Sequence, residues 1–161
     1  MVILVMGVAG SGKTTVGQLL AQQFEWAFVD ADDYHPKANI EKMRAGIPLT
    51  DADRASWLEA LRAVIGEWVA SDQGGVLACS ALKQVYREKL VVGPEVRIVY
   101  LAGSREVLYR RLQSRAGHFM TSQMLESQLE TLEPPEEAIT VDVDKSPQEI
   151  VTEIRDKMRL S

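Results

Sequence analysis

Residues 7–15 read GVAGSGKTT. Gly7, Gly12, Lys13 and Thr14 satisfy the spacing G-x-x-x-x-G-K-[ST], directly after the apolar run VILVM (2–6) and directly before a helical pattern. Phosphate oxygens must come close to main-chain N–H groups there, and a Cβ pointing inward would block them. Gly10 and Gly12 also open backbone angles barred to other residues. The unpaired N–H groups and the positive end of the following helix face the anion. Lys13 is placed to bridge terminal phosphates and the Thr14 hydroxyl to bind Mg²⁺. The predicted nucleotide-binding set is therefore Gly7, Val8, Ala9, Gly10, Ser11, Gly12, Lys13, Thr14 and Thr15, with ATP and Mg²⁺ as the implied cofactors.

The motif says that a nucleoside triphosphate binds, not where its terminal phosphate goes. An N-K-x-D that would select guanine is absent. The acid that motor ATPases carry at the end of a core strand is also missing, since VLACS ends in Ser80 and RIVYL in Leu101. Acids instead cluster after the second predicted strand, at Asp30, Asp32 and Asp33. One carboxylate near Mg²⁺ and one accepting a substrate hydroxyl proton is an arrangement for phosphoryl transfer to a small molecule. Arg111 and Arg115, four residues apart, share one helical face.

The elements that must hold these groups follow from periodicity. VILVM is a strand buried on both faces, as in a parallel sheet. A helix is expected from Lys13 to about Phe24, a strand over 26–32, a short helix over 35–46 closed by Gly46, and a long helix over 51–71. Strands over 74–81 and 97–103 alternate with helices over 81–91 and 104–116. An amphipathic stretch at 120–132 precedes Pro134-Pro135, a last strand spans 138–144, and Ser146, Pro147 and Glu149 set a capped final helix. The alternation predicts a three-layer α/β/α fold on a parallel sheet, one domain over residues 1–161, with polar insertions at 33–54 and 115–135.

The 161 residues carry a formal net charge of -5, which gives no general pull on nucleic acid or anionic membrane, so an anionic ligand must be held by a local cluster. One cysteine, Cys79, excludes an internal disulfide and fits a reducing compartment. The apolar start is too short for a membrane span, and the cytoplasm is the expected location. Cys79 reads as a small core residue, and Trp57 and Trp68 as packing residues without a ligand.

Longer strings carry a resemblance. DADDYHPKANIEKMRAGIPLTDADRASWL (30–58), CSALKQVYREKL (79–90), RLQSRAGHFM (111–120) and LESQLETLEPP (125–135), together with the opening glycine-rich loop, resemble the gluconokinase family almost end to end. The resemblance implies ATP-dependent phosphorylation of D-gluconate at its 6-hydroxyl. It further implies a fold like that of shikimate and nucleoside-monophosphate kinases: five parallel strands in order 2-3-1-4-5, with a mobile lid at 115–135. A shikimate-type or other sugar-acid kinase is the alternative, and a nucleotide-binding switch without transfer activity is the reading from another class.

By similarity, Asp30 would sit near Mg²⁺ with Thr14, while Asp32 would orient and deprotonate the hydroxyl, and Asp33 would start a helix. Gluconate, a polyol with a carboxylate, would draw on His35, Lys42, Arg54, Ser80, Lys83 and Arg87, with Asn39 as a polar neighbour. Arg54 or Arg87 is favoured for the carboxylate because a guanidinium forks onto it. In the related kinases this helix supplies one arginine against the adenine and one on the phosphates, here Arg111 and Arg115, with His118 as a fastening group for the lid. The resemblance leaves room for a homodimer.

Overall fold

The computed structural model describes residues 1–113 and 122–160. Five strands, β1 (Val2–Met6), β2 (Ala27–Asp30), β3 (Gly75–Ala78), β4 (Val96–Ala102) and β5 (Ile139–Asp142), form an all-parallel sheet in the order β2-β3-β1-β4-β5. Helices α1 (Lys13–Phe24), α2 (Lys37–Arg44), α3 (Asp51–Ala70), α4 (Gln84–Leu90), α5 (Arg105–Gln113), α6 (Ser122–Thr131) and α7 (Pro147–Leu160) connect and flank it. The predicted strand order is the observed one.

β1 explains the layering. All five of its residues are fully buried, and alternate side chains point to opposite faces. Val2, Leu4 and Met6 pack with Trp57, Leu61, Ile65 and Trp68 of α3. Ile3 and Val5 pack with Val16 and Leu20 of α1 and with Ile150 and Ile154 of α7. An unbroken apolar run rich in β-branched residues suits a strand covered on both sides. A third cluster, Val8, Ala9, Leu82, Leu108, Leu112 and Leu125, fastens α5 and α6 against the loop that follows β1.

Two boundaries depart from the sequence reading. β2 was expected to run through Asp32 but ends at Asp30, where the chain turns into a 3-10 helix, Ala31–Tyr34. The cause is local: the Asp30 side chain accepts the Asp32 N–H at 2.9 Å, so the carboxylate competes with the strand for its own backbone. β3 and α4 also sit further apart than expected, because Ala81 adopts φ 44° and Lys83 is extended, which delays α4 to Gln84. The start of α7 is as read: Ser146 Oγ accepts from Glu149 N–H at 3.1 Å and the Glu149 carboxylate accepts from Ser146 N–H at 3.3 Å. Among the described residues no helix is long and apolar enough to cross a membrane.

The carboxyl ends of β1, β2 and β3 lie side by side, β1 pairing with β3 and β3 with β2. They deliver the glycine-rich loop, Asp30, and the Cys79–Ser80 pair to one edge of the sheet, where open parallel sheets hold their ligands.

Candidate active site

One cleft at that edge is lined by Ala9, Gly10, Gly12, Lys13 and Thr14 from the glycine-rich loop and by Asp30, Asp32, His35, Arg54 and Ser80 from the elements facing it. Groups as far apart in sequence as 9 and 80 therefore share a single cavity. Gly7, Val8 and Ser11 complete the loop from beneath, Val8 and Ser11 being buried, whereas Thr15 is exposed on α1 and does not line the cleft.

The loop holds its shape through left-handed backbone at Gly10 (φ 82°) and Gly12 (φ 91°), the latter capping α1. Gly10 is bare for a reason the sequence did not suggest. A Cβ there would stand 2.8 Å from the Leu108 carbonyl oxygen, so the glycine admits the backbone of α5 as well as clearing the loop interior. Lys13 Nζ donates to the Val8 carbonyl at 3.2 Å, folding the lysine back over the loop.

Asp30 joins the two halves of the cleft. Its Oδ2 accepts from the Thr14 hydroxyl at 2.9 Å while its Oδ1 holds the Asp32 amide at 2.9 Å. One carboxylate at the end of β2 thus sets both the first turn of α1 and the backbone carrying Asp32. A hydroxyl and a carboxylate this close are hard oxygen donors suited to Mg²⁺. Among the described residues no group of three or more His, Cys, Asp or Glu could hold a metal. Mg²⁺ sites on nucleotides draw most of their ligands from phosphate and water.

The other wall is built from α2 and α3. The His35 ring stacks on Trp57, with ring centroids 4.2 Å apart and planes 10° from parallel. Trp57 is itself fixed by its Nε1–H donating to the Ala31 carbonyl at 2.7 Å. Burial, and next the Arg54 charge, press the His35 pKa down from 6.5 to about 4, so the imidazole is neutral at pH 7. Arg54 lines the cleft and its Nη1 donates to the Tyr86 hydroxyl at 3.0 Å. Tyr86 in turn donates to Asp51, and that bond together with Lys83 holds the Asp51 carboxyl below the usual range. Thr50 and Asp53 form a reciprocal cap at the start of α3. Cys79, at the cleft floor, is buried, and desolvation pushes its thiol up to about 12.

Three predicted substrate residues are not brought to the cleft lining. Lys42 is paired with Asp53 at 2.8 Å, and with the Thr50 bonds it holds Asp53 down to about 2. Lys83 pairs with Asp51 at 3.3 Å. Arg87 is the clearest correction. It is 2% exposed, and its guanidinium donates to the Ala81 and Glu133 carbonyls, each at 2.7 Å, and to Gln84 Oε1 at 3.2 Å. It ties the β3–α4 turn to the segment after α6, and of the two arginines only Arg54 lines the cleft. Arg111 does come to the loop: its Nη1 lies 3.4 Å from the position a Gly12 Cβ would take, and its Nη2 donates to the Val143 and Lys145 carbonyls. Arg115 and His118 lie outside the described residues.

Three residues of the site escaped the sequence reading, and a fourth, Asn39, was read only as a polar neighbour of the sugar acid. Trp57, assigned to packing alone, both packs and lines the cleft. Asn39 is 4% exposed and bonds His35. Tyr86 orients Arg54 from 32 positions away. Gln128, on the cleft-facing side of α6, accepts the Ala9 N–H at 2.8 Å, so a glycine-loop amide is engaged from 119 positions away. The His35–Asn39 spacing of four was a usable signal; the contacts of Tyr86 and Gln128 left none in the linear sequence.

Known proteins resemble the chain in both sequence and fold. A family model described as shikimate kinase matches residues 9–159. A probable gluconokinase of Xenopus tropicalis is 49% identical over 173 residues, covering 96% of this chain and 91% of that protein. The gluconokinase of Gluconobacter oxydans is 47% identical over 157 residues, covering 94% and 88%. The crystal structure of a gluconokinase from Sinorhizobium meliloti superposes with a TM-score of 0.85 at 47% identity, covering 98% of this chain and 91% of the other. By these likenesses and by its glycine-rich loop, the chain belongs to the gluconokinases, a P-loop kinase family within the reach of the shikimate kinase model.

Proposed function

We propose that the chain transfers the γ-phosphoryl group of ATP to the 6-hydroxyl of D-gluconate, giving ADP and 6-phosphogluconate. The observation that carries this reading is the Asp30 bridge, which sets Asp32 in the same cleft as Lys13 and the loop amides. A phosphate cradle facing a carboxylate at the mouth of a polar pocket is arranged to aim an alcohol at phosphorus.

In this scheme the loop N–H groups and Lys13 hold the β- and γ-phosphates. Thr14 and Asp30 would hold Mg²⁺, which when bound offsets charge on the phosphate oxygens. Asp32 orients the 6-hydroxyl and takes its proton as the O6–P bond forms and the bond to the ADP oxygen breaks. The loose transition state asks little basicity of it. Arg54 holds the gluconate carboxylate, and His35 and Ser80 serve its hydroxyls. Lys42 supports this wall by fixing Asp53, and Lys83 by fixing Asp51. Arg111 lies toward the adenine, and Arg115 is proposed to close on the phosphates from the 115–135 segment, which acts as a lid that excludes water.

The test is a panel of sugar acids with ATP–Mg²⁺ in a coupled ADP assay. Gluconate-dependent ADP production well above background is expected. ADP release indifferent to gluconate would contradict transfer, and a stronger response to another acid would reassign the substrate.

A further inference from the structure

Asn39 is nearly fully buried in α2, yet nothing in the proposed transfer uses it. Its amide nitrogen lies 2.8 Å from the Asp53 carbonyl oxygen. A carbonyl oxygen only accepts, so the group facing it must be the NH₂ and not the amide oxygen. The same nitrogen lies 3.2 Å from His35 Nδ1. With one hydrogen spent on Asp53, the second points at the ring, and Nδ1 must meet it with a lone pair. The ring proton then belongs on Nε2. No other hydrogen-bond partner of the His35 ring is found among the described residues. Stacking on Trp57, itself anchored to Ala31, prevents the ring from turning over to exchange its nitrogens.

We propose that Asn39 is a positioning residue which, by donating to both Asp53 O and His35 Nδ1, fixes His35 as the neutral Nε2–H tautomer, so that the substrate pocket meets a hydrogen-bond donor suited to a hydroxyl or carboxylate oxygen. This rests on the reading of the cleft as a sugar-acid site. The wall then presents two donors of different kind: a charged fork at Arg54 for a carboxylate, and an uncharged single N–H at His35 for an oxygen of the polyol chain. Protonating His35 would set an N–H against the Asn39 N–H, so the same contact also opposes the cation. An uncharged donor leaves Arg54 as the cation of this wall and discourages a second anionic group beside it.

The full chain, uniformly labelled with ¹⁵N, tests this through long-range ring correlations. There are two histidines, so the signal lost in His35→Gln is that of His35. At pH 7 the wild-type ring is expected to show a pyridine-like Nδ1 and a pyrrole-like Nε2. A pyrrole-like Nδ1 overturns the proposal whatever the substrate proves to be, and needs no variant that might fail to fold. In Asn39→Asp, whose carboxylate accepts rather than donates, the ring is expected to move its proton to Nδ1 or become doubly protonated. KM for gluconate should then rise about tenfold, with KM for ATP within about twofold. An unchanged ring signal, or an unchanged gluconate KM beside a changed ring signal, overturns it. If no sugar acid is phosphorylated, the substrate reading fails while the ring signals still decide the Asn39 contact.

Discussion

The two walls of the cleft are made by different means. The phosphate wall is mainly backbone, the glycine-rich loop from Gly7 to Thr14, held by left-handed turns at Gly10 and Gly12. The sugar wall is side chain, assembled from positions 30 to 86 through relays: Asn39 to His35 to Trp57, and Arg54 to Tyr86 to Asp51. A backbone cradle needs only one short stretch in the right order. A side-chain wall needs several elements to arrive together. On the proposed reading the first is tolerant of what surrounds it and general in what it binds, whereas the second would set selectivity, and single changes there should act selectively.

The largest effect tests the phosphate wall. Lys13→Ala should lower kcat/KM by about 10³ or more with the melting temperature little changed, since the lost cation faces charge that develops on the phosphates. A loss below tenfold would mean that the loop amides suffice alone. Next, Asp32→Asn should lower kcat by about 10² to 10⁴ while ATP affinity stays within about twofold. Equal loss of both would remove Asp32 from the hydroxyl.

A third experiment contrasts two arginines. Arg54→Ala should raise the gluconate KM by about 10 to 100-fold with stability nearly kept, as expected for a charge-assisted contact. Arg87→Ala should leave KM alone and lower stability by roughly 2–4 kcal/mol, because it strands the buried Ala81 carbonyl, unties the Glu133 carbonyl and opens a void. Similar KM effects from both would erase the distinction between a ligand-facing arginine and a structural one.

The smallest effect is a matter of pH. His35 binds its proton near 4 when folded and near 6.5 in its ordinary state. On acidification the unfolded chain is protonated first, so stability is lost as pH falls from about 6.5 to about 4 and is unaffected above. Asp53, held near 2 against an ordinary 3.8, contributes a separate loss at lower pH. Denaturant melts of wild type and His35→Gln should converge as pH drops through the upper window. Parallel curves would show that the histidine is not held neutral.

This division also accounts for what could be read in advance. The glycine-rich loop, the strand order and the capped start of α7 are local or periodic, and Gly7 to Thr14, β1, Ser146 and Glu149 all stand where the pattern placed them. Arg54, His35 and Ser80, expected because their types suit a sugar acid and their strings resemble a family, do line the cleft. Lys42, Lys83 and Arg87, chosen by the same criterion, do not line it, since charge type says nothing about which partner claims a cation. Asp53, Asp51 and the carbonyls of Ala81 and Glu133 had claimed them. Tyr86 and Gln128 were illegible because their roles exist only once α4 and α6 have packed.

The silent thiol of Cys79 has a practical consequence. Burial pushes this thiol well above its ordinary range, so little of the reactive thiolate forms at neutral pH, and the residue is 2% exposed at the cleft floor. The protein is therefore a natural blank for maleimide chemistry. A cysteine introduced at a surface position such as Val85, 48% exposed, would take a dye or spin label alone, without the native residue first being removed.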